Sequence, residues 1–266
     1  MPNKNVKKKV NKKIQKKQEK RINPKRRKVL VFLFLSLLIV ASIIGFFLSP
    51  IFTIREVEIL GTEKTDPDVL KQSLNIEEGT NIFIENNGKI KDALKKNPYV
   101  DDVKVKRELP GKLVITVKER EISYILKVED TYAYINSQGY IIDTNKEALS
   151  GVIRLEGYET SVESIIAGEK LCKVDLSKLN DVSQIIKYAR NYDILSLITS
   201  INIKDSEDYV IYMETEAKKA HVGDSKKLNE KIQRIKAIIA QEKGKEGEIF
   251  VNMDLNTKKP YFREKV

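Results

Sequence analysis

The sequence predicts an α+β protein: a single N-terminal transmembrane helix, then a strand–helix–helix–strand–strand domain, then a β-rich domain with two helices. Three observations support this: one long apolar run near the start, alternating strand and helix spacing after it, and repeated short strands beyond. We expect these boundaries: a disordered basic tail at 1–28, the transmembrane helix at 29–48, the first domain at 51–120, the β domain at 121–258, and a C-terminal strand and tail at 259–266.

The apolar run extends from Val29 to Leu48 and contains 20 residues, of which only two serines are polar. A helix of that length is about 30 Å long, which matches the thickness of a bilayer core. A cleaved signal peptide is the alternative, but it needs a shorter apolar stretch and a small-x-small cleavage site, for which Ala41 and Gly45 are the only candidates. We therefore predict a retained helix that anchors the chain in the lipid bilayer.

Basic charge is concentrated before this run. Residues 1–28 carry 14 Lys and Arg against the single acid Glu19, a net of +13, whereas the remaining 35 basic and 37 acidic residues leave −2. Lys and Arg beside a first helix stay in the cytoplasm, which predicts a cytoplasmic N-terminus and an extracellular C-terminal domain. We expect the tail to contact anionic lipid; a specific cytoplasmic partner is the alternative. Because the folded part is slightly acidic, no nucleic-acid partner is expected.

The region after Pro50 alternates between strand and helix patterns. Apolar residues alternate with polar ones as in a strand, Asp66 and Pro67 are typical of a helix start, and Leu109–Lys112 is typical of a turn between two strands. The predicted elements are a strand at 52–61, a helix from Asp66 to Leu74, a helix at 89–97, and a hairpin around 103–117.

Specific runs within this region resemble a known family. The runs 97–100, 103–111 and 113–120 resemble the second half of a POTRA domain as found in the bacterial division proteins FtsQ and DivIB, and 52–61 resembles its first strand. In that family the module directly follows a lone N-terminal membrane helix with a basic cytoplasmic tail. One departure is Glu121, where the family commonly has proline, and it bears only on the domain boundary.

The remaining residues predict a second domain, which resembles the β-rich domain of the same family. The predicted elements are strands at 123–128, 132–135 and 140–143, a helix at 179–192, strands at 200–204 and 209–214, a helix between Gly223–Asp224 and Gly244, and strands at 249–255 and 260–263. The resemblance covers nearly the whole chain and is strongest from Phe52 to Arg120.

Candidates for catalysis or metal binding are few. His221 is the only histidine and Cys172 the only cysteine, so zinc sites of Cys and His are excluded and any catalytic triad would depend on one residue. No phosphate-binding loop is present, and paired carboxylates such as Glu77 and Glu78 are typical of a solvated surface. We predict no enzyme activity, no cofactor and no metal site.

The resemblance implies a non-catalytic scaffold of the bacterial divisome, located at the division septum. It implies partners of the FtsL and DivIC/FtsB types and, through them, the septal transpeptidase and glycosyltransferase complex that makes septal peptidoglycan. The alternatives are a single-pass extracytoplasmic sensor and an anchored cell-wall hydrolase. The tail offers no foldable output module for a sensor, and no recognisable nucleophile supports a hydrolase.

The predicted partner-binding residues are Tyr261, Phe262 and Arg263, because no later segment of this sequence is available to pair with their strand. Aromatic residues and arginine are enriched in interface cores, and an unpaired strand edge can accept a partner strand. The resemblance implies that this C-terminal region receives the DivIC/FtsB-type partner. The alternative is that one of the two aromatic side chains packs inward and closes the domain.

Overall fold

The computed structural model describes residues 24–77 and 79–265. The described α-helices are α1 Pro24–Phe47, α2 Pro67–Ser73, α3 Asn87–Leu94, α4 Lys173–Asn191 and α5 Leu228–Gln241. The described strands are β1 Glu56–Leu60, β2 Val100–Glu108, β3 Lys112–Glu119, β4 Tyr124–Val128, β5 Thr131–Ile135, β6 Ile141–Asn145, β7 Ile153–Glu156, β8 Ser200–Asn202, β9 Tyr209–Met213, β10 Lys218–Gly223, β11 Gly247–Phe250 and β12 Tyr261–Glu264.

The described residues form two compact units. The first consists of residues within 24–56, 77–85 and 107–112, and the second of residues within 57–76, 86–106 and 113–265. The first unit contains α1 and short segments that pack around its C-terminal end. The second contains most of the α+β fold.

Helix α1 is the one described helix that is long and apolar enough to cross a membrane. Its 24 residues give a length of about 36 Å. The hydroxyl of Ser36 donates a hydrogen bond to the carbonyl oxygen of Leu33 at 2.8 Å, so this polar side chain is satisfied within the helix. Because α1 begins at Pro24, residues 24–28 of the predicted disordered tail are helical, and the rest of that prediction lies outside the described residues.

The strand–helix–helix–strand–strand prediction is confirmed, with a three-stranded sheet in the order β1-β3-β2. Helix α2 starts where the sequence predicts, because the Asp66 carboxylate accepts a hydrogen bond from the backbone N–H of Asp68 at 2.9 Å and Pro67 occupies the first turn. Helix α3 starts two residues earlier than predicted, because Asn86 caps it through the backbone N–H of Gly88 at 2.7 Å.

The predicted first strand is wrong at its start. Phe52 ends a single 3₁₀ turn, Pro50–Phe52, and β1 begins only at Glu56. The Ser49 hydroxyl accepts a hydrogen bond from the N–H of Ile51 at 3.4 Å, and Pro50 has no N–H to donate to a sheet. A turn with a buried phenylalanine thus occupies positions whose apolar spacing resembles that of a strand.

The second unit also contains a nine-stranded mixed sheet, in the order β12-β11-β10-β9-β8-β7-β4-β5-β6. Buried residues of this sheet, of α4 and of α5 form one apolar core, in which Leu126, Ile201 and Ile232 have no exposed surface. Strand β7 lies between β4 and β8, parallel to both, and was not predicted. The two predicted helices of the β-rich domain are present.

The boundaries of three predicted elements in this sheet region are wrong. Helix α4 begins at Lys173, six residues early, and the strand predicted to reach Leu255 ends at Phe250. Helix α5 begins at Leu228 rather than at Asp224. The Asp224 carboxylate accepts hydrogen bonds from the backbone N–H of Lys226 at 3.2 Å and from the ammonium of Lys231 at 2.9 Å, but Lys227 has a left-handed backbone with φ +53°, so the helix begins only after it.

Candidate functional site

Strand β12 forms one edge of the nine-stranded sheet. It pairs antiparallel with β11, with Tyr261 opposite Phe250, Phe262 opposite Ile249 and Arg263 opposite Glu248. Within residues 24–77 and 79–265, no strand pairs with its other side. An edge strand presents unpaired backbone N–H and C=O groups, which can pair with a strand from another chain.

The predicted residues on β12 divide between the two faces of the sheet. Phe262 packs against the apolar core, and its ring lies 5.9 Å from the ammonium of Lys218. That ammonium is itself held by the carbonyl oxygens of Glu216 and Lys245, at 3.0 and 2.7 Å. Phe262 therefore faces inward and helps to fasten β12 to the domain.

Tyr261 and Arg263 lie on the other face of the sheet, and both are exposed. The Tyr261 side chain is 49% exposed, and its ring stacks on Phe250 with centroids 4.8 Å apart. Phe250 in turn stacks on His221 at 4.8 Å with the rings nearly parallel. These three rings form an aromatic ladder across β10, β11 and β12, because the strand register places them side by side.

A charged row runs beside this aromatic ladder. The carboxylate of Glu248 lies between the Lys219 ammonium and the Arg263 guanidinium, and pairs with both. The hydrogen bond from Lys219, with the further one from Arg263, holds the pKa of Glu248 below its usual range even though partial burial acts in the opposite direction. The guanidinium carbon of Arg263 also lies 4.8 Å from the centre of the Phe250 ring.

The outer ends of the aromatic ladder differ in how firmly they are held. His221 Nδ1 lies 3.1 Å from one carboxylate oxygen of Asp208, and the other oxygen accepts a hydrogen bond from the backbone N–H of Gly223 at 3.1 Å. This fixes the histidine end, whereas the tyrosine end lies on the free edge strand. The surface combines stacked rings, an ion-pair row and unpaired backbone groups, so its chemistry suits binding of an extended chain.

Cys172 and its neighbours form a separate cluster, away from the edge strand. The buried carboxylate of Asp175 accepts hydrogen bonds from the backbone N–H groups of Glu159 and Thr160, and from the Thr160 hydroxyl at 2.6 Å. The Cys172 thiol lies 3.5 Å from the same carboxylate. These bonds tie the chain before α4 to the start of that helix, which is a structural role.

Four residues of the outer face were not predicted as part of the site: Lys219, His221, Glu248 and Phe250. The signal that could have found them is the period-2 alternation of β10 and β11, which places each of them on the face that carries Tyr261. The alternation alone leaves the register between strands open, and that register decides which side chains touch.

Comparisons with known proteins give a consistent result. A family model described as "POTRA domain, FtsQ-type" matches residues 52–120. A Clostridium botulinum protein named "Cell division protein DivIB" is 31% identical to this chain over 240 residues, covering 88% of this chain and 92% of that protein. A Rickettsia bellii protein named "Cell division protein FtsQ" is 29% identical over 154 residues, covering 58% and 57%.

Among solved structures, the chain is similar to the major extracytoplasmic domain of the cell division protein DivIB from Geobacillus stearothermophilus. The identity is 13%, the match covers 46% of this chain and 93% of that chain, and the TM-score is 0.30.

Proposed function

The chain belongs to the FtsQ/DivIB family of bacterial cell-division proteins, and from this premise we propose that it is a non-catalytic scaffold of the divisome. In this proposal it links FtsL-type and DivIC/FtsB-type single-pass proteins to septal peptidoglycan synthesis. Its similarity to proteins named DivIB over nearly the full length of both chains supports the proposal.

The proposed topology places the N-terminus in the cytoplasm and the C-terminal domain outside, at the division septum. The basic residues that precede α1 support this orientation, since Lys and Arg beside a first helix remain cytoplasmic. The same residues provide the proposed contact with anionic lipid. Confinement of this chain and its partners to one membrane raises their effective concentration, so contacts of modest affinity can assemble a complex.

The proposed partner site is the free edge of β12, with Tyr261 and Arg263 as its side-chain anchors. A DivIC/FtsB-type segment would add a strand beside β12 through main-chain hydrogen bonds. The single observation that carries this assignment is the position of β12 at the end of the sheet order. Phe262, the third predicted residue, contributes by holding β12 in place rather than by direct contact.

A pull-down of the DivIC/FtsB-type partner with full-length protein tests the site. The Tyr261→Ala/Arg263→Ala double variant should weaken binding about tenfold or more, as expected for anchor residues of an interface. Phe262 is left unchanged, because its replacement would loosen the core. Thr144→Ala, on the opposite edge strand β6, is the matched control and should bind normally. Unchanged binding by the double variant, with unchanged thermal melting, would refute the assignment.

A further inference from the structure

The C-terminal end of α1 is joined to the segment 81–85 by a buried amide. The side-chain N–H of Asn81 donates to the carbonyl oxygen of Phe47 at 2.8 Å, and its side-chain oxygen accepts from the backbone N–H of Phe83 at 2.9 Å. Asn81 is 9% exposed. The last four carbonyl groups of a helix lack partners within the helix, so this amide satisfies one of them and attaches the segment to the helix end.

An aromatic cluster strengthens this attachment. Phe47, Phe52 and Phe83 lie with ring centroids 5.1 to 6.1 Å apart, and Phe46 packs against the first two. Backbone hydrogen bonds join the same parts, including one from the N–H of Ile82 to the carbonyl oxygen of Phe52 at 2.8 Å. The segment 81–85 is therefore part of the same compact unit as α1.

Arg107 holds the other side of the segment. Its guanidinium donates to the carbonyl oxygen of Ile82 at 2.7 Å and to that of Glu85 at 2.8 Å. Both carbonyls flank Phe83 and Ile84, so the backbone around these two residues is fixed from two directions. Ile82 itself is fully buried and anchors the segment, which leaves Phe83 and Ile84 as its exposed apolar part.

Three apolar side chains in and beside this segment are exposed. Ile84 is 65% exposed, Phe83 40% and Ile51, in the turn that follows α1, 54%. Ile51 follows the helix closely in sequence, and the Phe83 ring packs on Phe47 at its end, beside Phe46 and Leu48, which are 57% and 54% exposed. A fixed loop that presents exposed apolar residues beside a membrane-spanning helix suits contact with lipid, because contiguous exposed apolar surface marks a site of burial against a partner or a membrane.

We propose that Ile51, Phe83 and Ile84 form a membrane-seating surface that enters the interfacial region of the leaflet at the C-terminal end of α1. Lipid is the occupant because this surface is continuous with the lipid-facing side of α1 and is attached to its end by Asn81. The inference rests on the proposed topology in one respect, which is that the topology identifies this leaflet as the outer one.

Tryptophan fluorescence of the full-length protein tests the proposal, because the chain contains no tryptophan of its own. Ile84→Trp would be reconstituted in vesicles of phosphatidylethanolamine and phosphatidylglycerol, with and without a lipid brominated near the start of its acyl chains. The matched control is Ile166→Trp, since Ile166 is similarly exposed, at 58%, but belongs to the second unit. Both variants carry the same intrinsic preference of tryptophan for membranes.

The expected result is severalfold stronger quenching by brominated lipid, with blue-shifted emission, for Ile84→Trp than for the control. In the Asn81→Ala background this quenching should fall, because the segment is no longer attached to the helix end. Equal quenching of the two tryptophans would overturn the membrane-seating surface, and an unchanged signal with Asn81→Ala would overturn the role of the amide. Quenching by brominated lipid is measured without any division partner, so it does not depend on partner binding or septal location. Failure of the membrane-seating surface can therefore be distinguished from failure of the proposed divisome function.

Discussion

Gly247 is the position where a single methyl group should separate β12 from the sheet. It lies on β11, opposite Glu264 of β12, and is buried. A Cβ atom added there would lie 2.6 Å from Cζ of the Phe262 ring and closer still to the carbonyl oxygen of Arg263. The ring could turn aside, but the carbonyl belongs to the strand itself. Gly247→Ala should therefore displace the backbone of β12.

The size of the effect follows from the contacts that are lost. Relief of the overlap with the Arg263 carbonyl oxygen requires a shift of more than about 0.8 Å, since this oxygen is closer to the added Cβ than Phe262 Cζ at 2.6 Å and ordinary contacts begin at 3.4 Å. Overpacking of this kind costs about 1 to 3 kcal/mol. If β12 detaches fully, the loss includes the burial of the Phe262 side chain, about 2 kcal/mol. We expect the free energy of unfolding to fall by about 1 to 3 kcal/mol.

Hydrogen exchange measured by mass spectrometry on full-length protein in nanodiscs checks this prediction. Peptides that contain β11 and β12 should exchange faster in Gly247→Ala, and partner binding should be lost with them. The matched control is Gly244→Ala, where φ is +78° and no atom lies within 4 Å of the added Cβ. Gly244→Ala should cost about 1 kcal/mol of stability through backbone strain but leave the amides of β12 protected from exchange. Full protection of β12 in Gly247→Ala would refute the reasoning.

Two further predictions concern pH. The Tyr99 hydroxyl donates a hydrogen bond to the Asp143 carboxylate at 2.7 Å. Burial, followed by this bond, raises the pKa of Tyr99 to about 12. The protonated tyrosine therefore stabilises the folded protein below pH 10, and this stabilisation is lost as the pH rises from 10 to about 12. Tyr99→Phe should cost about 1 kcal/mol at neutral pH, and denaturant unfolding measured against pH should lose this alkaline slope. The pKa of Asp224 is lowered to about 2, chiefly by the hydrogen bond from the Lys226 side chain. The ionised carboxylate therefore stabilises the folded protein above pH 3.8, and this stabilisation is lost as the pH falls towards 2. Asp224→Asn should lower the free energy of unfolding by about 1 kcal/mol at neutral pH and reduce its dependence on pH between 3.8 and 2. The control Asp193→Asn, at a side chain that is 89% exposed, should leave both quantities unchanged.

Local sequence signals predicted those elements whose ends are fixed by their own side chains. The start of α2 is one case, since Asp66 and Pro67 act within the first turn. The hairpin of β2 and β3 is another, because its alternation and its turn are adjacent in sequence. Where Asp224 preceded α5, the same cap signal failed, since Lys227 adopts a left-handed conformation between that aspartate and the helix.

Strand β7 shows why other elements could not be predicted. It is four residues long, and both its neighbours, β4 and β8, are parallel to it and distant in sequence. A parallel strand gains its hydrogen bonds from segments that the local pattern does not contain, and its propensity depends on those neighbours. Residues 153–156 do alternate apolar and polar side chains, with Ile153 and Leu155 buried, but a run of four residues is at the lower limit of what alternation can assign to a strand.

The candidate site on β12 depends partly on the local sequence pattern and partly on the register of distant strands, and the second dependence affects how it could bind a partner. Alternation along β12 separates the inward Phe262 from the outward Tyr261, but only the register of three strands reveals that the Tyr261 ring is stacked on Phe250 and, through it, on His221. A ring that is already stacked loses less rotamer freedom when a partner covers it, so less of the binding energy is spent on ordering. If β12 accepts a strand as proposed, the backbone edge would supply the pairing and this aromatic ladder a preordered surface beside it. Replacement of Phe250 would then weaken binding through the position of Tyr261, although Phe250 lies one strand in from the edge.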